Sequence, residues 1–276
     1  MFINLLIIIL IIIGIYFLLI MPKIINKPDV GDFISEYYAH RGLHQEKNIS
    51  PENSLAAFNL AIDNAYGIEL DVQLSKDQIP VVFHDDNLKR VCGVNKRVKE
   101  LTFDELRELS LYDSNERIPH FQEVLDLVKG QVPLIVELKA SKAFDREKST
   151  CKIVAPYLDE YKGLYCVESF NPLIVLWFKN NRPNVVRGQL ATKSVYKNTS
   201  FKNRSLNFVL RNLLLNILTK PDFIAYNHVY SHLPSYRICK RIYKPLTMAY
   251  TIQSQKDLDK NKNRFDVFIF DRFIPK

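Results

Sequence analysis

Cysteine, glycine and proline are too sparse in this chain to build several kinds of protein. Its 276 residues include only four cysteines, Cys92, Cys151, Cys166 and Cys239. That is too few for a disulfide-stapled scaffold of this length, and no two stand as Cys-x-x-Cys, so a zinc knuckle or thioredoxin-like centre is not indicated. They read as buried or idle thiols, which favours a reducing compartment. Eight glycines and thirteen prolines exclude a collagenous or low-complexity chain. With 47% apolar and 25% charged residues, the composition is that of a globular protein, and the length fits one large domain or two small ones.

One long apolar run is present. Phe2 to Met21 carries a single polar side chain, Asn4. At about 1.5 Å per residue it reaches roughly 30 Å, enough to cross a hydrocarbon core. A cleaved signal peptide should have a shorter apolar region of about 7–15 residues, a basic start and a small-x-small site. No Lys or Arg precedes this run, and Met21-Pro22-Lys23 offers no such site. The run therefore reads as an uncleaved transmembrane anchor over 1–22. Lys23 and Lys27 follow it, so the positive-inside rule predicts a single-pass protein of the cell membrane with the remainder in the cytoplasm. Residues 23–34 read as a linker and 35–276 as the folded domain.

There are no repeats of 20–50 residues and no Ser/Gly-rich linker later in the chain. Short β-like runs alternate with helical patterns. The predicted strands are Ser35–Ala39, Gly67–Gln73, Pro80–Phe83, Pro133–Lys139, Tyr165–Glu168, Val185–Gln189, Phe223–Tyr226, Thr247–Ile252 and Val267–Phe270. Several are wholly apolar, as strands buried on both faces should be. Helices are expected at Ser54–Ala65 behind an Asn53 cap, at Leu101–Leu109 with a capping box, and at Phe121–Val128. Such alternation predicts an α/β fold of parallel units, about eight of them, closing as a (β/α)8 TIM barrel.

In such a barrel, chemistry belongs at the strand C-termini. His40-Arg41-Gly42 ends the first run. Glu69 and Asp71 stand at i and i+2 on the second and so share one face. His84-Asp85 ends the third, and Glu137 and Lys139 are again i and i+2 on the fourth. Converging carboxylates repel unless a cation lies between them, and hard oxygen donors suit Mg²⁺ or Ca²⁺. Two histidines beside such a site can serve as general base and acid. The Arg41 fork and Lys139 match an anionic substrate. A carboxylate pair alone would point to a glycosidase; histidines, a hard metal and Arg/Lys together point to phosphodiester cleavage. His44, His228 and His232 read as ordinary polar residues.

The order His40-Arg41-Gly42, Pro51-Glu52-Asn53-Ser54, Glu69-Leu70-Asp71-Val72, Ser75-Lys76-Asp77, Pro80-Val81-Val82-Phe83-His84-Asp85 and Val136-Glu137-Leu138-Lys139 resembles the glycerophosphodiester phosphodiesterases. Further on, Ile118-Pro119-His120-Phe121 has His120 where that family usually has Thr. Glu168-Ser169-Phe170-Asn171 is similar to its fifth-strand motif. Tyr250-Thr251 stands where Trp-Thr is common, and Phe270-Asp271-Arg272 resembles its closing Thr-Asp-x-Pro. The resemblance implies a TIM barrel that hydrolyses a glycerophosphodiester to glycerol 3-phosphate and an alcohol through a cyclic phosphate. It implies His40 and His84 as the acid/base pair and Glu69, Asp71 and Glu137 around one divalent cation. Arg41 and Lys139 would bind phosphate, with Glu52 and Asn53 lining the site. The family's inserted small domain should be short here, since only about 35 residues, Asp85 to Pro119, are available for it. A lysophospholipase-D-type action on lysophospholipids, or an inactive lipid-binding module, are the competing readings.

Positive charge is clustered. Residues 193–244 hold ten basic residues and one acidic residue, Asp222, although the whole chain is only +8. For a tethered chain this predicts a basic face toward anionic lipid; no motif supports nucleic acid. Within the window, Phe201–Thr219 reads as one helix with two apolar stripes, the second being Phe201, Phe208 and Leu215.

Overall fold

The computed structural model describes residues 2–34, 37–44, 47–139, 150–196 and 200–276. Eight parallel strands close on themselves: β1 (Tyr37–His40), β2 (Gly67–Leu74), β4 (Leu134–Leu138), β5 (Tyr165–Ser169), β6 (Arg187–Ala191), β7 (Phe223–Asn227), β8 (Leu246–Ile252) and β9 (Val267–Phe270). Each pairs with the next in this order, and β1 pairs with both β2 and β9 to shut the barrel. The expected TIM barrel is therefore present. The predicted start at Ser35 lies outside the described residues.

The ninth run, β3 (Pro80–Val82), is not a barrel strand. It pairs antiparallel with the far end of β2, Val72 opposite Val82. Only five residues, Ser75 to Ile79, join the two, too few for a parallel crossover. His84 therefore sits at the end of a hairpin folded over the barrel mouth, not at the end of a third barrel strand.

Twelve α-helices lie among the described residues. They are α1 (Phe2–Leu19), α2 (Gly31–Ile34), α3 (Leu55–Asp63), α4 (Lys89–Cys92), α5 (Phe103–Arg107), α6 (Phe121–Val128), α7 (Thr150–Glu160), α8 (Pro172–Asn181), α9 (Phe201–Arg211), α10 (Asn216–Thr219), α11 (Pro234–Tyr243) and α12 (Gln255–Asn261). In α6, Phe121, Val124, Leu125 and Val128 recur at helical spacing and all are buried, each adding about 1.5–3 kcal/mol. His120 caps this helix: its Nδ1 accepts from Gln122 N (2.9 Å) while Glu123 accepts from His120 N (2.7 Å). A side chain that can accept here replaces the usual Thr. The cap of α3 is Ser54, not Asn53; Ser54 Oγ accepts from Ala57 N (3.1 Å).

The predicted helix over Phe201–Thr219 breaks in two. Leu213 takes φ +59° between α9 and α10, so no single helix carries the whole stripe. Phe201 and Phe208 stay exposed while Leu210 and Leu213 are buried. Asp85 to Pro119 forms a small lobe with its own core of Leu88, Val91, Val98, Leu106 and Ile118.

Candidate active site

The loop after β1 makes a tight return. Arg41 and Gly42 take φ +58° and +79°, and Asn53 takes +56°. A Cβ on Gly42 would lie 2.9 Å from Ala57 and Phe58 of α3, so only glycine fits. This geometry turns backbone and side chain onto the β2 carboxylates. Arg41 N donates to Glu69 Oε2 (3.0 Å), and Asn53 Nδ2 donates to Asp71 Oδ2 (2.9 Å). Asn53 thus holds Asp71 in place.

Register does the rest. Asp71 lies opposite Glu137, and Glu137 opposite Glu168, on adjacent parallel strands. Oxygens of Glu69, Asp71 and Glu137 fall within 4.8 Å of one another, and all three residues are buried. Lys139 Nζ spans Asp71 Oδ1 and Glu137 Oε1, each at 2.8 Å. Burial, then the charges of Asp71 and Glu137, push Glu69 well above the usual carboxylate range. Burial also raises Glu137, against the pull of Lys139. Asp71 goes the other way: burial would raise it, but Lys139, His84 and Arg41 hold it well below. The carboxylates outnumber the two cations among them, and the oxygen-only donor set fits a hard divalent ion.

The histidines stand on either side. His40 Nε2 is 4.0 Å from Glu69 and its Nδ1 is 3.7 Å from Asp271. Burial, then Arg41, bring its pKa down to about 4. His84 Nδ1 is 2.6 Å from Asp85 Oδ1. Gln73 Nε2 pins the backbone on both sides of His84, donating to Phe83 O (2.7 Å) and Asp85 O (3.0 Å).

Several contributors were given no role of their own from the sequence, although Glu168 and Asp271 stood in the motifs quoted. Asp271 sits at the end of β9 and also meets His44, at 2.8 Å, so His44 is not an idle surface residue. Arg90 of α4 chelates Asp85 on one edge (2.7 and 3.1 Å) and Glu52 on the other (2.7 Å twice). Glu52 also accepts from Arg41 Nη1 (2.6 Å) and from Tyr112 Oη (3.1 Å). Glu52 is therefore the centre of a network running from His84 to Asp71. Burial would raise its pKa, but the Arg90 hydrogen bonds and the Arg41 charge bring it to about 2. Glu168 is buried beside Glu137, and its Oε2 has no hydrogen-bond partner among the described residues. The available signal was an acid at the C-terminal end of an apolar strand, at both Glu168 and Asp271.

These groups line a cavity of about 160 Å³ that holds His40, Arg41, Glu69, His84, Glu137 and Glu168. Its other wall is apolar: Phe170, Leu190, Tyr250 and Ile269. Tyr250 is fixed by donating to Ala191 O (2.7 Å). Larger clefts of about 700 and 420 Å³ flank α11 and contain none of the histidine–carboxylate set described above.

Residues 40–259 match the model of the glycerophosphoryl diester phosphodiesterase family. A glycerophosphodiester phosphodiesterase of Caldanaerobacter subterraneus is 34% identical over 162 residues, covering 55% of this chain and 65% of that protein. The human lysophospholipase D GDPD1 is 30% identical over 139 residues, covering 46% of this chain and 43% of that protein. Alignments to such curated relatives thus span about half of their length. An Oleispira antarctica phosphodiesterase, solved in complex with the product sn-glycerol-3-phosphate, has the same fold. It superposes with a TM-score of 0.68 at 23% identity, over 85% of this chain and 92% of that one.

Proposed function

This chain belongs to the glycerophosphoryl diester phosphodiesterase family, and from that premise we propose that it hydrolyses glycerophosphodiesters to glycerol 3-phosphate and an alcohol. The observation that carries the reading is one rim on which two histidines, three buried carboxylates and Arg41 meet around a cavity. Glu69, Asp71 and Glu137 would hold one divalent cation, Mg²⁺ or Ca²⁺. Bound there, it supplies positive charge against the phosphate oxygens. Arg41 adds a guanidinium edge, and Lys139 an ammonium, for the same oxygens. Glu52 and Asn53 line the site and act through Arg41 and Asp71.

His40, neutral near pH 7, takes the proton from a glycerol hydroxyl as that oxygen bonds to phosphorus. His84, oriented through Nδ1 by the Asp85 carboxylate, keeps Nε2 for the cavity and gives its proton to the leaving alcohol oxygen. The bond from phosphorus to the alcohol breaks, leaving a cyclic phosphate. In the second half His84 takes a proton from water, and His40 returns its own to the glycerol oxygen as the ring opens. The intact set makes an inactive lipid-binding module the weaker reading. The apolar wall of Phe170, Leu190, Tyr250 and Ile269 favours a second substrate, a lysophospholipid cleaved in the same sense.

Among the described residues, α1 is the one helix long and apolar enough to cross a membrane. It would anchor residues 1–22, with 23–34 leading into the domain at 35–276 on the cytoplasmic side. Anionic lipid, not nucleic acid, is the partner suited to the basic window. Product analysis on glycerophosphocholine, glycerophosphoglycerol and lysophosphatidylcholine tests the reading. Release of glycerol 3-phosphate or its acylated form supports it. Release of a phosphorylated alcohol would place the cleavage on the wrong side of phosphorus.

A further inference from the structure

The barrel has a foot, where its strands begin, and a mouth, where His40, Glu137 and Asp271 stand. Helices α10 and α11 flank β7, and α11 runs back from mouth to foot. The end of α1 meets both. Tyr16 Oη donates to Ser235 Oγ (2.8 Å), which donates to Asn212 Oδ1 (2.7 Å), at the mouth end of α11. Four residues on, Ile20 O accepts from Asn216 Nδ2 (3.0 Å) and Cys239 Sγ (3.5 Å). Lys23 N then donates to Pro221 O (3.1 Å), and its ammonium pairs with Asp222 (3.0 Å) just before β7 begins. The step from Tyr16 to Ile20, about 6 Å at helical rise, is matched by the four-residue step from Ser235 to Cys239 in α11, while Tyr243, one turn nearer the foot, donates its Oη to Phe17 O (2.8 Å). The helix therefore lies along this groove, and Phe2–Ile15 leaves the barrel on the mouth side.

At 18 residues, α1 is about 27 Å long. Its free part, Phe2–Ile15, is about 21 Å, less than a hydrocarbon core of about 30 Å, so the barrel edge that clasps Tyr16–Ile20 is drawn to the headgroup boundary. What that edge presents suits such a place. Phe201 is 87% exposed, Val229 59% and Phe208 52%, all in the connections that follow β6 and β7 at the mouth. Lys193, Lys202 and Arg204 are interleaved with them, an apolar-and-basic mixture that fits the headgroup region. The ten charges of the basic window do not share one face. Lys220 and Lys244 lie at the foot, and Lys197 lies outside the described residues.

We propose that the barrel mouth faces the bilayer surface, so that the site takes its phosphodiester from amphiphiles lying in that surface. The inference rests on the reading of α1 as a membrane crossing. The test uses the full chain carrying Cys92→Ser, with a fluorophore on single cysteines placed by Ile9→Cys, Phe201→Cys, Val229→Cys or Lys162→Cys, the last at the foot. The protein is reconstituted in phosphatidylcholine–phosphatidylglycerol vesicles containing a shallow nitroxide-lipid quencher and, separately, a deep one. Ile9 should be quenched by the deep lipid. Phe201 and Val229 should be quenched by the shallow lipid several-fold more than Lys162. Quenching of Lys162 equal to or above that of the rim overturns the orientation, as does an unquenched rim beside a quenched Ile9. An unquenched Ile9 removes the anchor reading and this inference with it. Independently, Phe201→Asp with Val229→Asp should slow turnover of lysophosphatidylcholine in these vesicles several-fold and leave that of soluble glycerophosphoglycerol unchanged. Equal effects on both would also overturn it.

Discussion

At the scale of single residues, the proposed mechanism separates groups that would do chemistry from groups that would hold them. His40→Ala and His84→Ala are each expected to lower kcat by about 10²–10⁴ with the fold intact; circular dichroism and steady-state kinetics check both parts, and a rate near wild type removes that histidine from the mechanism. Glu52 belongs to the holding class, and its pKa sets a pH dependence of stability. It is held at about 2 in the folded chain, against an ordinary 4.5. A carboxylate lowered by folding contributes stability that is complete above about pH 4.5 and lost as pH falls toward 2. Melting temperature measured between pH 5 and 2 should therefore fall more steeply in wild type than in Glu52→Gln; equal slopes would show that the Arg90–Glu52 clasp carries no such linkage. The convergence of His40, Arg41, Glu69, Asp71, His84, Glu137 and Lys139 could be expected because Glu69/Asp71 and Glu137/Lys139 stand at strand spacing and the others end short apolar runs. Asp271 was not given a role because only the β1–β9 pairing, Ala39 beside Phe270, brings it to His40. Arg90 was missed for a similar reason: it reaches Glu52 from 38 residues away.

At the scale of elements, local pattern named strands and helices better than it named their partners. Pro80–Val82 is as apolar as a barrel strand, and composition does not distinguish parallel from antiparallel pairing. The short Ser75–Ile79 connection carried that information. The apolar stripe across Phe201–Thr219 likewise continues through the break at Leu213, because periodicity records which side is apolar and not where the backbone turns. The return after β1 is the element on which the site most depends. Gly42→Ala would add a Cβ at 2.9 Å from α3 in a backbone region that L-residues avoid. A loss of about 1–3 kcal/mol in stability is expected, together with reduced activity, since Arg41 N and Asn53 would shift from Glu69 and Asp71. Chemical denaturation checks the first part. A variant as stable and active as wild type would show that the turn is not under this constraint.

At the scale of the whole molecule, barrel closure and the apolar N-terminal run could both be read from the sequence. The clasp between them could not, because Ile20 O finds its donors 196 and 219 residues further along the chain. Contacts at such separations follow from topology and leave no local pattern. Parallel register also explains the charge balance at the mouth. The neighbouring strands β2, β4 and β5 bring four acids, Glu69, Asp71, Glu137 and Glu168, to one rim against Arg41 and Lys139, and burial raises Glu69, Glu137 and Glu168. A divalent cation would meet that deficit and, binding only the folded state, stabilise it by mass action. The most direct measurement is glycerol 3-phosphate release from glycerophosphocholine by the full chain, before chelation, in excess chelator, and after adding back Mg²⁺ or Ca²⁺, with the melting temperature followed in parallel. The expected result is loss of release in chelator, recovery with at least one of the two ions, and a melting temperature that falls and recovers with it. Undiminished release in excess chelator would contradict the account.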